Sequence, residues 1–318
     1  MKLRPIFCLL LLLVCSPWTN AVLAAEAPTD PLGLSAQERA STLVIGSVSH
    51  NFRKHLKNMQ PLADYLADQL SDQGIEQGKV LMARNNEDLI NYINAGLVDL
   101  VSESPFSATQ YLSEAGMEIL ARRWKGDARE YHSVILVHKD SNLTSLSDLR
   151  GKKIAFEDAG SSSGYYLPRA DLEAAGLVLQ PLANPRDQVA ADRVGFTFTR
   201  EEINTATLVM QNIVQAGAIS NLDLLSSKRM PAPYQDALRI LHESQSIPRS
   251  LMLVRQGLAQ ERKQRLKDVL LTAHTGSGAE QILEDFQRTS RYEAVDEELL
   301  EAMERVRTTL ENLSSQDP

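Results

Sequence analysis

The sequence predicts an α/β protein of two lobes, each a mainly parallel sheet flanked by helices, with a cleft between them. Three observations carry this. Short apolar runs alternate with longer amphipathic stretches, the pattern of βαβ units around a parallel sheet. The alternation occurs twice, once before Tyr131 and once after it. The chain has 318 residues, 43% of them hydrophobic, enough to bury a substantial core.

In order along the chain, Pro28, Pro31 and Gly33 among polar residues mark a mobile lead-in over 25–40. Residues 43–46 then read as a strand, 58–70 as a helix, 79–83 as a strand and 86–95 as a helix. Residues 98–101 give a strand, 105–115 a helix opened by Pro105, and 117–121 a strand. The second set has strands at 134–138, 153–156, 214–220, 238–242 and 250–254, with a helix over 168–175. From residue 258 to about 313 the pattern is helical, with Leu266, Val269, Leu270 and Ala273 at helical spacing, so these helices are expected to pack back across the first lobe and the hinge. The boundaries expected are a leader over 1–24, a first lobe over 41–132 completed by the helices of about 258–318, and a second lobe over 133–257.

The leader is read from Lys2 and Arg4, an apolar run from Ile6 to Val14, and small residues at Ala21, Ala24 and Ala25. This is the layout of a secretory signal peptide, and the run is well short of the ~20 residues that span a membrane. Cys15 after Leu12-Leu13-Val14 suggests a lipoprotein site as the lesser alternative, because Val14 is bulkier than the small residue such a site carries. Both cysteines, Cys8 and Cys15, fall in this segment, so no disulfide, thiol chemistry or cysteine metal site is expected in the mature chain. Loss of Lys2 and Arg4 leaves 31 basic residues against 41 acidic, a formal charge of −10, which argues against nucleic-acid binding. An anionic ligand stays open to it, because clustered N–H donors can dominate the potential within a cleft.

The most telling stretch is Ser161-Ser162-Ser163-Gly164-Tyr165-Tyr166-Leu167-Pro168, placed between the strand at 153–156 and the helix at 168–175. Free amides at a helix start, with the macrodipole and small hydroxyls, accept phosphate-like oxygens without a side-chain cation. Gly164 is expected to let the backbone approach such a ligand. Taken alone, three serines there would more readily be ordinary helix caps.

The longer string DLRGKKIAFEDAGSSSGYYLPRADLEAAGL, residues 148–177, resembles the phosphate, phosphite and phosphonate substrate-binding proteins of bacterial ABC transporters. Their usual version reads DLKGK, an apolar segment, then FxDPxSTSGYxxPxxxL. The stretches GSVSHNFRKHLKNMQPLADYL, AGLVDLVSESPFSATQY, YHSVILVHKDS, SQSIPRSLMLVR and RYEAVDEELL follow in the family's order and spacing, so nearly the whole mature chain is covered. The resemblance implies a type II periplasmic binding protein with its ligand between the lobes, a periplasmic location, a small anionic ligand, and no cofactor. The expected partner is an ABC permease or, as the alternative, a membrane sensor kinase.

Cleft groups are expected in loops after strand C-termini. Candidates are Ser161, Ser162, Ser163, Gly164 and Tyr165 from the second lobe, and Ser104 and Phe106 from the first, together with Ser102, Glu103 and Ser107. Ser104 could equally cap the helix at Pro105. His50 could donate to an anion, and Tyr131 lies at the crossing between lobes, where the family also carries a tyrosine and where hinge packing is its plainer role. Glu103 beside an anion would repel it unless it sits deeper, accepts from a hydroxyl or meets an amine on the ligand; a solvated or Arg-paired carboxylate is the plainer reading.

The chain departs from the pattern at GFTFTREEINTATLVMQNIVQAGAISNLD, 195–223. Phosphonate-binding members usually carry a Ser-His pair here, yet no histidine occurs between His138 and His242. Glu201, Glu202, Asn204 and Thr205 stand in that neighbourhood; the acids suit a helix start, and Glu202 or Asn204 in the cleft would point to an amine-bearing or different ligand. Enzyme motifs are missing from the sequence: there is no GxSxG, no HExxH, and the histidines show no metal-ligand spacing. The expected function is therefore capture of a small phosphorus oxyanion or organophosphonate for a permease, with ligand sensing for a receptor kinase as the alternative.

Overall fold

Leu43, Val44 and Ile45 are fully buried because their strand is covered on both faces, the situation that a continuous apolar run encodes. The structure, a computed structural model, describes residues 30–49, 51–276 and 278–314. The chain begins α1 (Ala36–Ala40), β1 (Thr42–Val48), α2 (Phe52–Asp68), β2 (Gln77–Ala83), α3 (Asn86–Asn94), β3 (Leu100–Glu103), α4 (Pro105–Glu114) and β4 (Met117–Lys125). It crosses over through β5 (Glu130–Tyr131) into β6 (Ser133–His138), β7 (Lys153–Phe156), a π-helical turn (Ser162–Tyr166) and, directly from it, α5 (Leu167–Ala174). Next come β8 (Val178–Pro181), β9 (Arg193–Phe198), α6 (Glu202–Met210), β10 (Ala216–Ser220), α7 (Asn221–Leu225), α8 (Ala232–Ala237) and β11 (Leu238–Glu243). The return runs through β12 (Ile247–Pro248) to β13 (Leu251–Arg255), α9 (Gln260–Thr272), α10 (Glu280–Asp285), β14 (Thr289–Glu293) and α11 (Glu297–Ser314).

Two six-stranded sheets result, in the orders β14-β4-β13-β3-β1-β2 and β11-β6-β10-β7-β9-β8. In each, a parallel group of strands is extended on one side by antiparallel strands. β5 and β12 pair antiparallel, Ile247 opposite Tyr131, where the two crossing segments run side by side.

The strand expected at 250–254 in the second set belongs instead to the first sheet, as β13 between β3 and β4. Its residues Leu251 to Val254 are almost wholly buried on both faces, which an interior position demands, and the β12 crossing delivers the chain there. Strands β8, β9 and β14 carry too many polar or exposed positions to stand out in the sequence. Helix α2 starts at Phe52, ahead of the expected residue 58, because Asn51 caps it by accepting from the Lys54 amide at 3.3 Å.

Helices α9 and α10 cover one face of the first sheet, where Leu266, Leu270 and Leu283 join Leu43, Ile45, Leu62 and Leu66. Helix α11 covers the other, with Leu299 and Met303 against Val44, Leu89 and Tyr111. Each such Leu contributes about 1.5–3 kcal/mol by burial. Further along α11, Val306 reaches Phe106, Tyr131, Leu167 and Ile247, a small apolar cluster joining both lobes at the crossing. Gly78 records how closely α2 lies on β2: a Cβ there would sit 2.1 Å from the Ala63 carbonyl oxygen.

Candidate functional site

The site grows from the end of β7. After Phe156 the chain turns through Glu157 to Ser161, which caps the π-helical turn. The Ser161 hydroxyl accepts from the Gly164 amide at 2.9 Å and donates to Glu157 Oε2 at 2.7 Å. This uses Ser161 locally and leaves the amides of Ser162 and Ser163 with no acceptor among the described residues. Helix α5 continues the turn without a break, so these amides stand at the N-terminal end of a helical run that extends to Ala174. Ser162 and Ser163 are 1% and 5% exposed. Gly164 owes its identity to Glu157: a Cβ would meet Glu157 Cβ at 2.6 Å, so the crowding comes from the protein itself.

The opposing lobe meets this turn directly. Ser104 holds the N-cap position of α4, ahead of Pro105, but its hydroxyl makes no capping bond. It lies 3.1 Å from the Ser162 hydroxyl, which donates to it. The Phe106 amide donates to Ser162 Oγ at 3.4 Å, and the Phe106 ring stacks on Tyr166 with centroids 4.8 Å apart and planes at 5°. Tyr131, on β5, is 4% exposed, and the Arg249 guanidinium sits 4.3 Å from its ring centroid. Burial pushes the Tyr131 phenol up, against the pull of Arg249 and the Ser162 and Ser163 hydroxyls.

Three acids flank the turn on the second lobe. Burial pushes the Glu157 carboxyl up despite the Ser161 hydrogen bond, and burial together with Glu157 and Asp223 raises Glu202. Arg229 bridges the group, 3.3 Å from Glu202 and 2.9 Å from Asp223. Glu202 thus faces its fellow acids beside the serine turn. Asn204 is exposed and spends its amide on the Thr199 carbonyl at 3.1 Å, holding the start of α6. Tyr165 packs among Phe156, Phe196 and Phe198, and its hydroxyl accepts from Arg169 at 3.1 Å. His50 lies outside the described residues. Among the described residues no group of three or more His, Cys, Asp or Glu side chains is arranged to hold a metal ion.

Sequence reasoning missed a set of cations. Arg123, Lys125 and Arg249 line a cavity of about 210 Å³ in the first lobe that reaches Ser104. The signal was available: Arg123 and Lys125 stand two apart in a stretch that begins as an apolar strand, so they share one face of it.

A family model described as the periplasmic substrate-binding protein of phosphonate ABC transporters matches residues 46–300. Among curated relatives, the tetrathionate sensor histidine kinase TtrS of Salmonella typhimurium is 28% identical over 189 residues, 55% of this chain and 30% of that one. The phosphate-import protein PhnD of Mycolicibacterium smegmatis is 28% identical over 159 residues, 49% of each. The chain therefore spans about a third and a half of the length of these two relatives. Among solved structures, XAC2383 from Xanthomonas citri, bound to chloride ion, superposes with a TM-score of 0.83 at 30% identity, covering 87% of this chain and 100% of that one. The same protein bound to ATP gives 0.82. PhnD1 from Prochlorococcus marinus, in complex with methylphosphonate, shares the fold at a TM-score of 0.64 and 19% identity, covering 86% and 98%. Among the described residues no helix is long and apolar enough to cross a membrane.

Proposed function

The chain belongs to the periplasmic substrate-binding family of phosphonate ABC transporters, and from that premise we infer that it captures a small phosphorus oxyanion or organophosphonate between its lobes and delivers it to an ABC permease. The observation that carries this is the pair of amides of the buried Ser162 and Ser163, unmet at the head of a continuous helical run whose serine hydroxyls meet Ser104 and Tyr131. Anion oxygens complete such donors at little cost, because the amides are already desolvated and oriented. The acids beside the turn need not repel the ligand. Arg229 neutralises part of their charge, and the raised carboxyls of Glu157 and Glu202 favour keeping a proton in the group.

The 30% identity to a protein solved with ATP and with chloride ion supports an anionic ligand. The expected mechanism is docking on the serine turn, closure of Ser104 and Phe106 over the ligand, and recognition of the closed form by the membrane partner. The mature protein is taken to begin near residue 25, in the periplasm, with the Ser162 lobe over 133–249 and the first lobe built from the remainder. A second reading, delivery of the bound state to a membrane sensor kinase, is favoured by the similarity to a sensor histidine kinase.

A thermal-shift screen against phosphate, phosphite, methylphosphonate, aminoethylphosphonate, sulfate and amino acids tests the function. A ligand at 100 times its dissociation constant stabilises by about 2.7 kcal/mol. Hits confined to phosphorus compounds are expected; hits confined to amino acids would refute the reading.

A further inference from the structure

The cavity behind Ser104 is lined by three cations that form no ion pair among the described residues. Arg123 is 2% exposed, and its guanidinium hydrogen-bonds neutral oxygens, Ser250 Oγ at 2.9 Å, Thr289 Oγ1 at 2.9 Å and Gln287 Oε1 at 3.1 Å, and lies over the Phe286 ring with its centroid 5.1 Å away. Among the described residues, neither Arg123 nor Lys125 nor Arg249 forms an ion pair with a carboxylate, and the buried Nε of Arg249 has no hydrogen-bond partner. One acid shares the wall. Glu103 accepts from the Ser104 amide at 3.1 Å, and burial pushes its carboxyl up, against the pull of that bond and of Arg123 and Lys125.

Converging cations in a poorly solvated space repel one another, and burial with Arg249 and Arg123 pushes the Lys125 ammonium down to about 7. A fold retains such a cost where a ligand supplies the missing charge. The guanidiniums suit a planar or tetrahedral oxyanion, since their donors are forked to match paired oxygens. The position is equally telling. The cavity reaches Ser104, and Ser104 Oγ is 3.1 Å from the hydroxyl of Ser162 on the serine turn.

We propose that this first-lobe cavity is a second oxyanion subsite, so that the ligand is a small bis-anion with one head on the amides of Ser162 and Ser163 and a second carboxylate, phosphate-type or sulfonate group among Arg123, Lys125 and Arg249. The inference rests on the reading of the serine turn as the first anion site. It adds a specificity: a short spacer between two anionic ends, and exclusion of ligands whose far end is cationic.

Titration calorimetry on the purified protein with methylphosphonate and with phosphonopropionate tests it. Phosphonopropionate is expected to bind at least about tenfold more tightly. That ratio should fall toward one in Lys125→Met and in Arg249→Gln, each checked for folding by its melting curve. A wild-type ratio near one with methylphosphonate still binding overturns the second subsite and leaves the first standing. Failure of both compounds to bind overturns the reading of the serine turn as well. A ratio retained in both variants assigns the preference elsewhere and overturns the subsite too.

Discussion

Ser104 and Ser162 face each other across the boundary between the two lobes, hydroxyl to hydroxyl at 3.1 Å, each at the head of a helix. Neither is used to cap its own helix by that hydroxyl. The contact joins the loop after β3 to the loop after β7, the two places where α/β sheets present binding groups.

Ser162→Ala with Ser163→Ala keeps both amides and removes the two hydroxyls, so methylphosphonate binding should weaken by about 1.5–3 kcal/mol for each hydroxyl hydrogen bond to the anion that is lost. Calorimetry at constant salt reads this directly, and Ser161→Ala should lower thermal stability as well, because Ser161 holds Gly164 and Glu157.

Gly164→Ala tests the crowding. The added methyl would lie 2.6 Å from Glu157 Cβ, an overpacking that costs about 1–3 kcal/mol. Denaturant unfolding should show the loss, and Glu157→Gly in the same chain, which removes that Cβ together with Oε2 at 2.7 Å, should recover part of it.

The acid group gives a pH dependence with a definite sign. Glu202 is pushed up to about 8 by burial, Glu157 and Asp223, from an ordinary value of 4.5. The folded state then holds a proton that the unfolded chain has released, so this contribution is full below about 4.5 and is lost as pH rises through about 8. Thermal melts of the ligand-free protein should decline over that window, and Glu202→Gln should flatten the decline. An unaltered slope in the variant would remove Glu202 as its source.

Asp99 anchors the first lobe far from the cleft. It is 2% exposed, accepts from the Val44 amide at 2.8 Å, and pairs with Arg39 at 3.1 Å and Arg255 at 2.7 Å. Asp99→Ala should destabilise by about 3–5 kcal/mol, because it strands two guanidiniums and a buried amide. Ligand affinity of the folded fraction should be unchanged.

Much of this was legible in the sequence for physical reasons. Residues 153–156 form a strand with those limits because an apolar run beside a turn has few other fates, and the serine turn follows from small residues ahead of Pro168. What stayed hidden depended on partners distant in sequence. β14 is a polar five-residue strand that forms because β4 has a free edge, and β13 returns to the first sheet because β5 and β12 pair at the crossing. The sequence suggests room for a ligand at Gly164, but in the fold that room is taken up by Glu157. Arg123 and Lys125 show their shared face in the local spacing, but their meeting with Arg249 arises only once β4 and the segment after β12 lie side by side, so the cavity itself could not be read locally.

The most direct measurement is the backbone amide spectrum of the protein titrated with methylphosphonate. The Ser162 and Ser163 amide resonances should move saturably, with an isotherm matching that from calorimetry. Saturable binding in calorimetry with both amides unmoved, or no saturable binding by any phosphorus oxyanion, would contradict it.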